Sequence, residues 1–131
     1  MKVLLDTHCW LWWITEPERL NENAKGLISH PANEIYFSSA SAWEIAIKYR
    51  LGKLPLPESP DLYVPRMLAH DEIQALTVEL RHALHVAALP LHHRDPFDRM
   101  LVAQAQLEKM SLVTADPQFE RYEVAIIRAE Q

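Results

Sequence analysis

The sequence predicts an α/β fold: a three-layer α/β/α sandwich around a central, mostly parallel sheet of about five strands. Two observations predict it. Short β-branched, aliphatic and aromatic runs (Val3-Leu4-Leu5, Ile35-Tyr36-Phe37, Leu112-Val113-Thr114) recur along the chain, and segments with helical caps and spacing separate them. Strands that alternate with helices pair in parallel and are covered on both faces. No low-complexity stretch, fixed-period repeat or linker interrupts the pattern, so residues 1–131 are expected to form one domain, long enough to bury a core.

Taken in order, Met1 to Leu5 reads as a short buried strand. Thr7 is placed to cap a helix through Trp10-Leu11-Trp12-Trp13-Ile14, which Pro17 closes. Asn21 caps a second helix, Glu22 to about Ser29, with Pro31 beyond it. Ile35-Tyr36-Phe37 is the next strand. Ser39 or Ser41 caps the helix that carries Glu44, with Ile45, Tyr49 and Leu51 as its apolar stripe. Gly52, one of only two glycines, stands where a left-handed helix cap belongs. Pro55, Pro57 and Pro60 make a rigid connection into a helix near Asp61 to Ala69. Ile73 to Val78 reads as a third strand and Glu79 to about Leu89 as a helix. Asp95-Pro96 starts a long helix through Met110, with proline at its preferred first-turn position. Leu112 to Thr114 is a fourth strand, Pro117 to Tyr122 a helical turn and Val124 to Ile127 a last strand.

Composition narrows the setting. Cys9 is the only cysteine, so no disulfide forms within the chain and a reducing compartment is expected. Asp6 and His8 break the apolar start before a signal-peptide core develops, and no run approaches the ~20 apolar residues of a membrane span. The expectation is a soluble, cytoplasmic protein with no membrane partner. The formal net charge of −5 argues against broad electrostatic binding of nucleic acid. Much of that charge, however, sits in a few acids that bound cations would cancel.

Those acids are Asp6, at the end of the first apolar run, Glu44 inside an otherwise apolar helix, Asp95 and Asp98 at a helix start, and Asp116 after the Leu112 run. In an open α/β sheet, functional groups gather beyond the carboxyl ends of the strands. Two unit charges about 4 Å apart repel by about 4 kcal/mol at an effective dielectric of about 20. A cluster of such groups therefore needs protonation or cations. Hard divalent ions choose oxygen ligands, and Mg²⁺ typically combines a few carboxylates with water and substrate phosphate. Metal-dependent phosphoryl transfer is the chemistry that follows. Each acid also has a purely structural reading: Asp6, Asp95 and Asp116 as helix caps, and Glu44 as a solvated helix residue. Arg94 and Arg99, beside the Asp95/Asp98 pair, are expected to contact phosphate or pair with carboxylates.

The segments Leu4-Leu5-Asp6-Thr7-His8, Ser41-Ala42-Trp43-Glu44-Ile45-Ala46-Ile47-Lys48 and Leu51-Gly52-Lys53-Leu54 resemble PIN-domain nucleases of the VapC toxin type. So do Asp95-Pro96-Phe97-Asp98-Arg99-Met100-Leu101-Val102-Ala103-Gln104-Ala105 and Thr114-Ala115-Asp116-Pro117-Gln118-Phe119. The resemblance runs nearly end to end. It implies a Mg²⁺- or Mn²⁺-dependent endoribonuclease with one or two ions, a toxin held by a small cognate antitoxin, and a homodimer. It also implies catalytic and metal-binding roles for Asp6, Glu44, Asp98 and Asp116, and cleavage that leaves a 5′-phosphate and a 3′-hydroxyl. The third metal acid maps onto Asp98, one turn inside the helix that Asp95 caps. Thr7 frees Asp6 by capping in its place, Thr114 is expected to support the reacting water, and Arg99 supports the site. No histidine is required.

Other readings remain. A haloacid-type phosphatase also begins with an aspartate at a strand end, but needs a second acid where His8 stands. A PIN fold serving only as a binding module is the non-catalytic alternative. His82, His85, His92 and His93 make a zinc site conceivable, without any cysteine partner. Trp10, Trp12 and Trp13 spread around one short helix, and at least one is expected on a subunit or antitoxin surface.

Overall fold

The computed structural model describes residues 1–130. Five strands, β1 (Lys2–Leu5), β2 (Glu34–Ser38), β3 (Gln74–Leu76), β4 (Ser111–Thr114) and β5 (Ile126–Arg128), form one sheet in the order β3-β2-β1-β4-β5, with every pairing parallel. Six α-helices accompany them: α1 (Thr7–Thr15), α2 (Glu22–Ser29), α3 (Ser39–Arg50), α4 (Pro60–His70), α5 (Leu80–His85) and α6 (Pro96–Glu108). Among these described elements, no helix is long and apolar enough to cross a membrane.

The two-residue period of the strands sorts their side chains into two cores. Val3, Leu5, Ile35, Phe37 and Val113 face one core, which Cys9 and Trp10 of α1, Ala24 and Ile28 of α2, Ile45 of α3 and Val64 and Leu68 of α4 complete. Leu4 and Leu112 face the other, against Leu101, Val102 and Ala105 of α6 and Phe119 and Tyr122 beyond β4. Both faces of the sheet are thus covered, giving three layers as predicted. Trp10 is fully buried, with its ring 4.6 Å from that of Phe37. A buried large apolar side chain contributes about 1.5–3 kcal/mol.

Several local expectations meet different answers. Ser38, not Ser39 or Ser41, caps α3 by accepting from Ala40 N, because β2 runs directly into the helix. The apolar stripe of α3 stops at Ile45; Tyr49 and Leu51 are exposed, since the helix runs past the edge of the core. The third strand is only Gln74–Leu76, an edge strand, and the fifth begins at Ile126. The expected Glu79–Leu89 helix ends at His85 and tightens into a 3₁₀ turn, Val86–Ala88. Other signals hold: Asn21 accepts from Ala24 N at 2.8 Å, and Pro96 opens α6.

Gly52 has φ +73°, and beside it Lys53 N–H donates to Lys48 O and Gly52 N–H to Tyr49 O, the paired bonds that close a helix through a left-handed residue. Gly26 lies inside α2, and neither glycine has any atom within 4 Å of an added Cβ. Backbone conformation alone therefore separates them. Gly26→Ala is expected to raise stability by about 0.5–1 kcal/mol, and Gly52→Ala to lower it by about 1–2 kcal/mol. Urea denaturation of both variants checks this; shifts of the same sign would contradict it.

Candidate metal centre beyond the central strands

From β1 the chain builds β2 and β3 on one side, and β4 and β5 on the other. Strand order therefore reverses between β1 and β4, where a crevice opens beyond their carboxyl ends. Asp6 leaves β1 at this point, and its N–H donates to Val113 O at 2.9 Å, tying it to β4. Asp116 follows β4 by two residues. Glu44 comes from α3, whose buried face is Ala40, Ser41, Glu44 and Ile45 and which packs against both α4 and α6. Asp98 comes from the first turn of α6. Asp6 and Glu44 are 3% and 4% exposed.

Four of the five acids have a donor of their own. Thr114 Oγ1 donates to Asp6 Oδ2 at 2.8 Å and accepts from Asp116 N at 3.0 Å, so its hydroxyl ties two acids together. Lys48 Nζ donates to Glu44 Oε2 at 2.9 Å, one turn along α3. Asp116 Oδ1 accepts from Gln118 N at 2.9 Å, as a cap of the 3₁₀ turn Pro117–Arg121. Asp95 Oδ1 accepts from Phe97 N and Asp98 N, which makes it the cap of α6.

Two supporting assignments need correction. Thr7 does not cap α1; it is the first helical residue, and its hydroxyl donates to Ser41 Oγ at 2.7 Å, joining α1 to α3. Asp6 occupies the cap position but makes no side-chain cap bond; Thr114 takes its Oδ2, and Oδ1 is left open to the crevice without help from Thr7. Arg99 donates to the carbonyls of Val86, Leu89 and Pro90 and to Tyr122 Oη. Its planar fork matches carbonyls converging from the turn before α6, and that geometry turns it away from the acids. Arg94 is exposed.

Burial raises the Asp6 carboxyl above its ordinary range, opposed by the Thr114 bond and reinforced by Glu44. Asp98 is pushed up to about 8, first by burial and then by the charges of Asp6, Asp95, Glu44 and Asp116. Asp6 Oδ1 and Glu44 Oε1 are buried with no hydrogen-bond partner. An unsatisfied buried acceptor costs about 1–3 kcal/mol, more when charged. Buried anionic oxygens with open lone pairs are what a hard divalent cation binds, so the donor set fits such an ion.

The sequence reading weighed His93 only for zinc and did not place it with the acids. Its Nε2 lies 2.9 Å from Asp98 Oδ2 and 3.1 Å from Asp116 Oδ2, and these three side chains could together hold an ion. Its place just before α6 had marked it only as one of four histidines for a zinc site; the fold of the loop before α6 brings it between two of the acids. The four histidines weighed for zinc are otherwise apart. The buried His82 accepts from Glu79 N, His85 contacts Gln106 and His92 packs on Tyr122.

An apolar groove of about 510 Å³ is lined by Trp43, Val78, Ala83, Phe97 and Met100, among others, of which Trp43 and Phe97 are the chain neighbours of Glu44 and Asp98. Trp43 is 65% exposed, and its ring meets Phe97 edge-on at 5.4 Å. The tryptophans of α1 do not line it: Trp10 is buried, Trp12 lies under Arg19 and Trp13 donates to Asp71.

Residues 3–125 match the PIN domain family. The chain is 43% identical over 68 residues to Ribonuclease VapC16 of Mycobacterium tuberculosis (strain ATCC 25618 / H37Rv), covering 52% of this chain and 48% of that protein. It is 31% identical over 115 residues to Ribonuclease VapC22 of the same organism, covering 87% and 86%. The first match thus spans about half the length of that relative, the second most of it. Among solved structures, VapBC2 from Rickettsia felis, bound to a DNA fragment from their promoter, superposes with a TM-score of 0.76 at 18% identity, covering 99% of this chain and 100% of the other. At that identity the likeness is one of fold.

Without metal, the ionised form of Asp98 is disfavoured in the folded state. Its folded value of about 8 lies above the ordinary 3.8, so its contribution to stability is fully present below 3.8 and lost as pH rises through about 8. In EDTA, Asp98→Asn is expected to gain on the parent steadily across that window. Urea denaturation at stepped pH measures the difference; a gap that stays constant or narrows with rising pH would contradict the crowding.

Proposed function

The chain belongs to the PIN-domain family, and on that premise we propose that it is a metal-dependent endoribonuclease, the toxin of a type II toxin–antitoxin pair, with Mg²⁺ or Mn²⁺ as its cofactor. The observation that carries the metal reading is the pair of unpartnered buried oxygens, Asp6 Oδ1 and Glu44 Oε1, beside an Asp98 that burial and its neighbours push to about 8. Asp6, Asp98 and Asp116 hold one ion, and Glu44 either holds a second or orients the attacking water. When bound, the ion supplies charge against the scissile phosphate and acidifies that water. Thr114 keeps Asp6 and Asp116 in register, Lys48 neutralises one oxygen of Glu44, and Asp95 keeps α6 aimed at the cluster. RNA is the substrate class that the ribonuclease relatives support, with 5′-phosphate and 3′-hydroxyl products. A small cognate antitoxin, a homodimer and a cytoplasmic location complete the proposal. The antitoxin's apolar anchors suit the groove at Trp43 and Phe97, the chain neighbours of two acids that a basic residue would reach. The haloacid-phosphatase alternative needs a second acid where His8 stands.

Purified chain is expected to cleave an RNA pool in Mg²⁺ or Mn²⁺ and to stop in EDTA; undiminished cleavage in EDTA sinks the metal mechanism. No cleavage under any metal would leave the binding-module reading standing.

Asp6→Asn, Glu44→Gln, Asp98→Asn and Asp116→Asn should each lower the cleavage rate by about a hundredfold or more, the scale on which preorganised charge acts in a transition state. Asp95→Ser keeps a capping oxygen and should cost well under about 1 kcal/mol, with only a modest loss of rate. Rates and melting temperatures of the five variants test this assignment. A dead Asp95→Ser beside an active Asp98→Asn would exchange their roles.

A further inference from the structure

We infer that His93 is a positioning residue for the metal centre, a hydrogen-bond clamp that holds Asp98 and Asp116 together without itself ligating the ion. The inference rests on the metal-site reading given above. Its Nε2 stands within hydrogen-bond distance of one oxygen of each acid, at 2.9 and 3.1 Å. That arrangement alone suits either a ligand or a donor. The opposite side of the ring decides between them. A histidine that ligates a metal donates its other ring N–H to a carboxylate, carbonyl or water. Here the other nitrogen, Nδ1, faces the backbone N–H of Asp95 at 3.3 Å and accepts from it. Nδ1 is therefore bare and Nε2 carries the proton, which leaves no lone pair at Nε2 for a metal.

The ring has little freedom to reverse this. The N–H of His93 donates to Tyr122 Oη at 2.9 Å, and the ring packs 5.6 Å from Phe119. Its side chain is 12% exposed. Asp95 cannot withdraw its N–H, because its carboxylate already caps α6. A single helix start thus fixes the tautomer of His93, and the tautomer gives two mutually repelling acids a common donor. Each carboxylate retains lone pairs for an ion. Asp116 is gripped from both sides, by Gln118 N on Oδ1 and by His93 on Oδ2.

The test uses Mn²⁺ as the probe on the purified full chain, with calorimetric titration and pulsed electron paramagnetic resonance for directly bound nitrogen. The parent is expected to bind Mn²⁺ without a coordinated-nitrogen coupling. His93→Ala should weaken Mn²⁺ binding by about 10–100-fold, the usual effect of losing a partner of a metal ligand. His93→Gln, which keeps an N–H donor, should recover most of the affinity. A nitrogen coupling in the parent would make His93 a ligand and overturn the clamp, and this readout needs no variant to fold. Parent-like affinity in His93→Ala, or a His93→Gln variant that melts like the parent yet binds no better than His93→Ala, would overturn it as well. If the parent binds no Mn²⁺ at all, the metal centre fails and the clamp falls with it. Parent binding with an indifferent His93→Ala rejects the clamp alone.

Discussion

Repulsion among carboxylates crowded beyond the ends of β1 and β4 is the constraint on which the rest of the structure depends. Two such charges about 4 Å apart oppose each other by about 4 kcal/mol at an effective dielectric of about 20, and several meet here in partial burial. The fold answers with donors set among them: Thr114 for Asp6, Lys48 for Glu44, Gln118 N for Asp116, and His93 shared between Asp98 and Asp116. The answer is incomplete by construction. Asp6 and Glu44 each keep a buried oxygen that no donor reaches, and Asp98 stays well above the usual carboxylate range. A protein selected for stability alone would not keep such a cluster; sites that cost stability in this way are typical of function.

The scaffold supplies the stability the cluster withholds. Two cores, one on each face of the parallel sheet, lie directly behind the acids, so the strand ends that present Asp6 and Asp116 are anchored by Leu5, Val113 and Leu112. Helix α3 touches both helical layers and carries Glu44 on its buried face. Behind α6, Arg99 gathers three carbonyls of the preceding turn and loop, which fixes the approach of the segment bearing His93. Positioning the acids thus depends on residues that touch none of them.

Much of this was legible in the sequence where the controlling physics is local. Asp95, Gly52 and the capping oxygen of Asn21 act within a turn of themselves, and each took the role its residue type prescribes. Strand runs were legible because burial on both faces demands apolar residues over several consecutive positions. Where two local solutions competed, the reading slipped. Two serines and a threonine offered themselves as caps near α1 and α3, and the choice of Ser38 followed from where β2 ends. Thr7 then found Ser41, 34 residues away.

By itself, the sequence determined the alternation of strands and helices, the helix boundaries set by caps and prolines, and the placement of Asp6, Glu44, Asp98 and Asp116 at strand ends and helix turns. Local contacts supply Lys48 for Glu44 and Gln118 N for Asp116; tertiary structure alone decided which remote groups hold the acids. Thr114 meets Asp6 across 108 residues and His93 meets Asp116 across 23, while Arg99, adjacent in sequence to Asp98, points elsewhere. The reason is physical. A carboxylate at a strand end is placed by backbone periodicity, which a few residues encode. A partner from elsewhere in the chain is chosen by the packing of remote segments and by side-chain rotamers, which only the assembled fold defines.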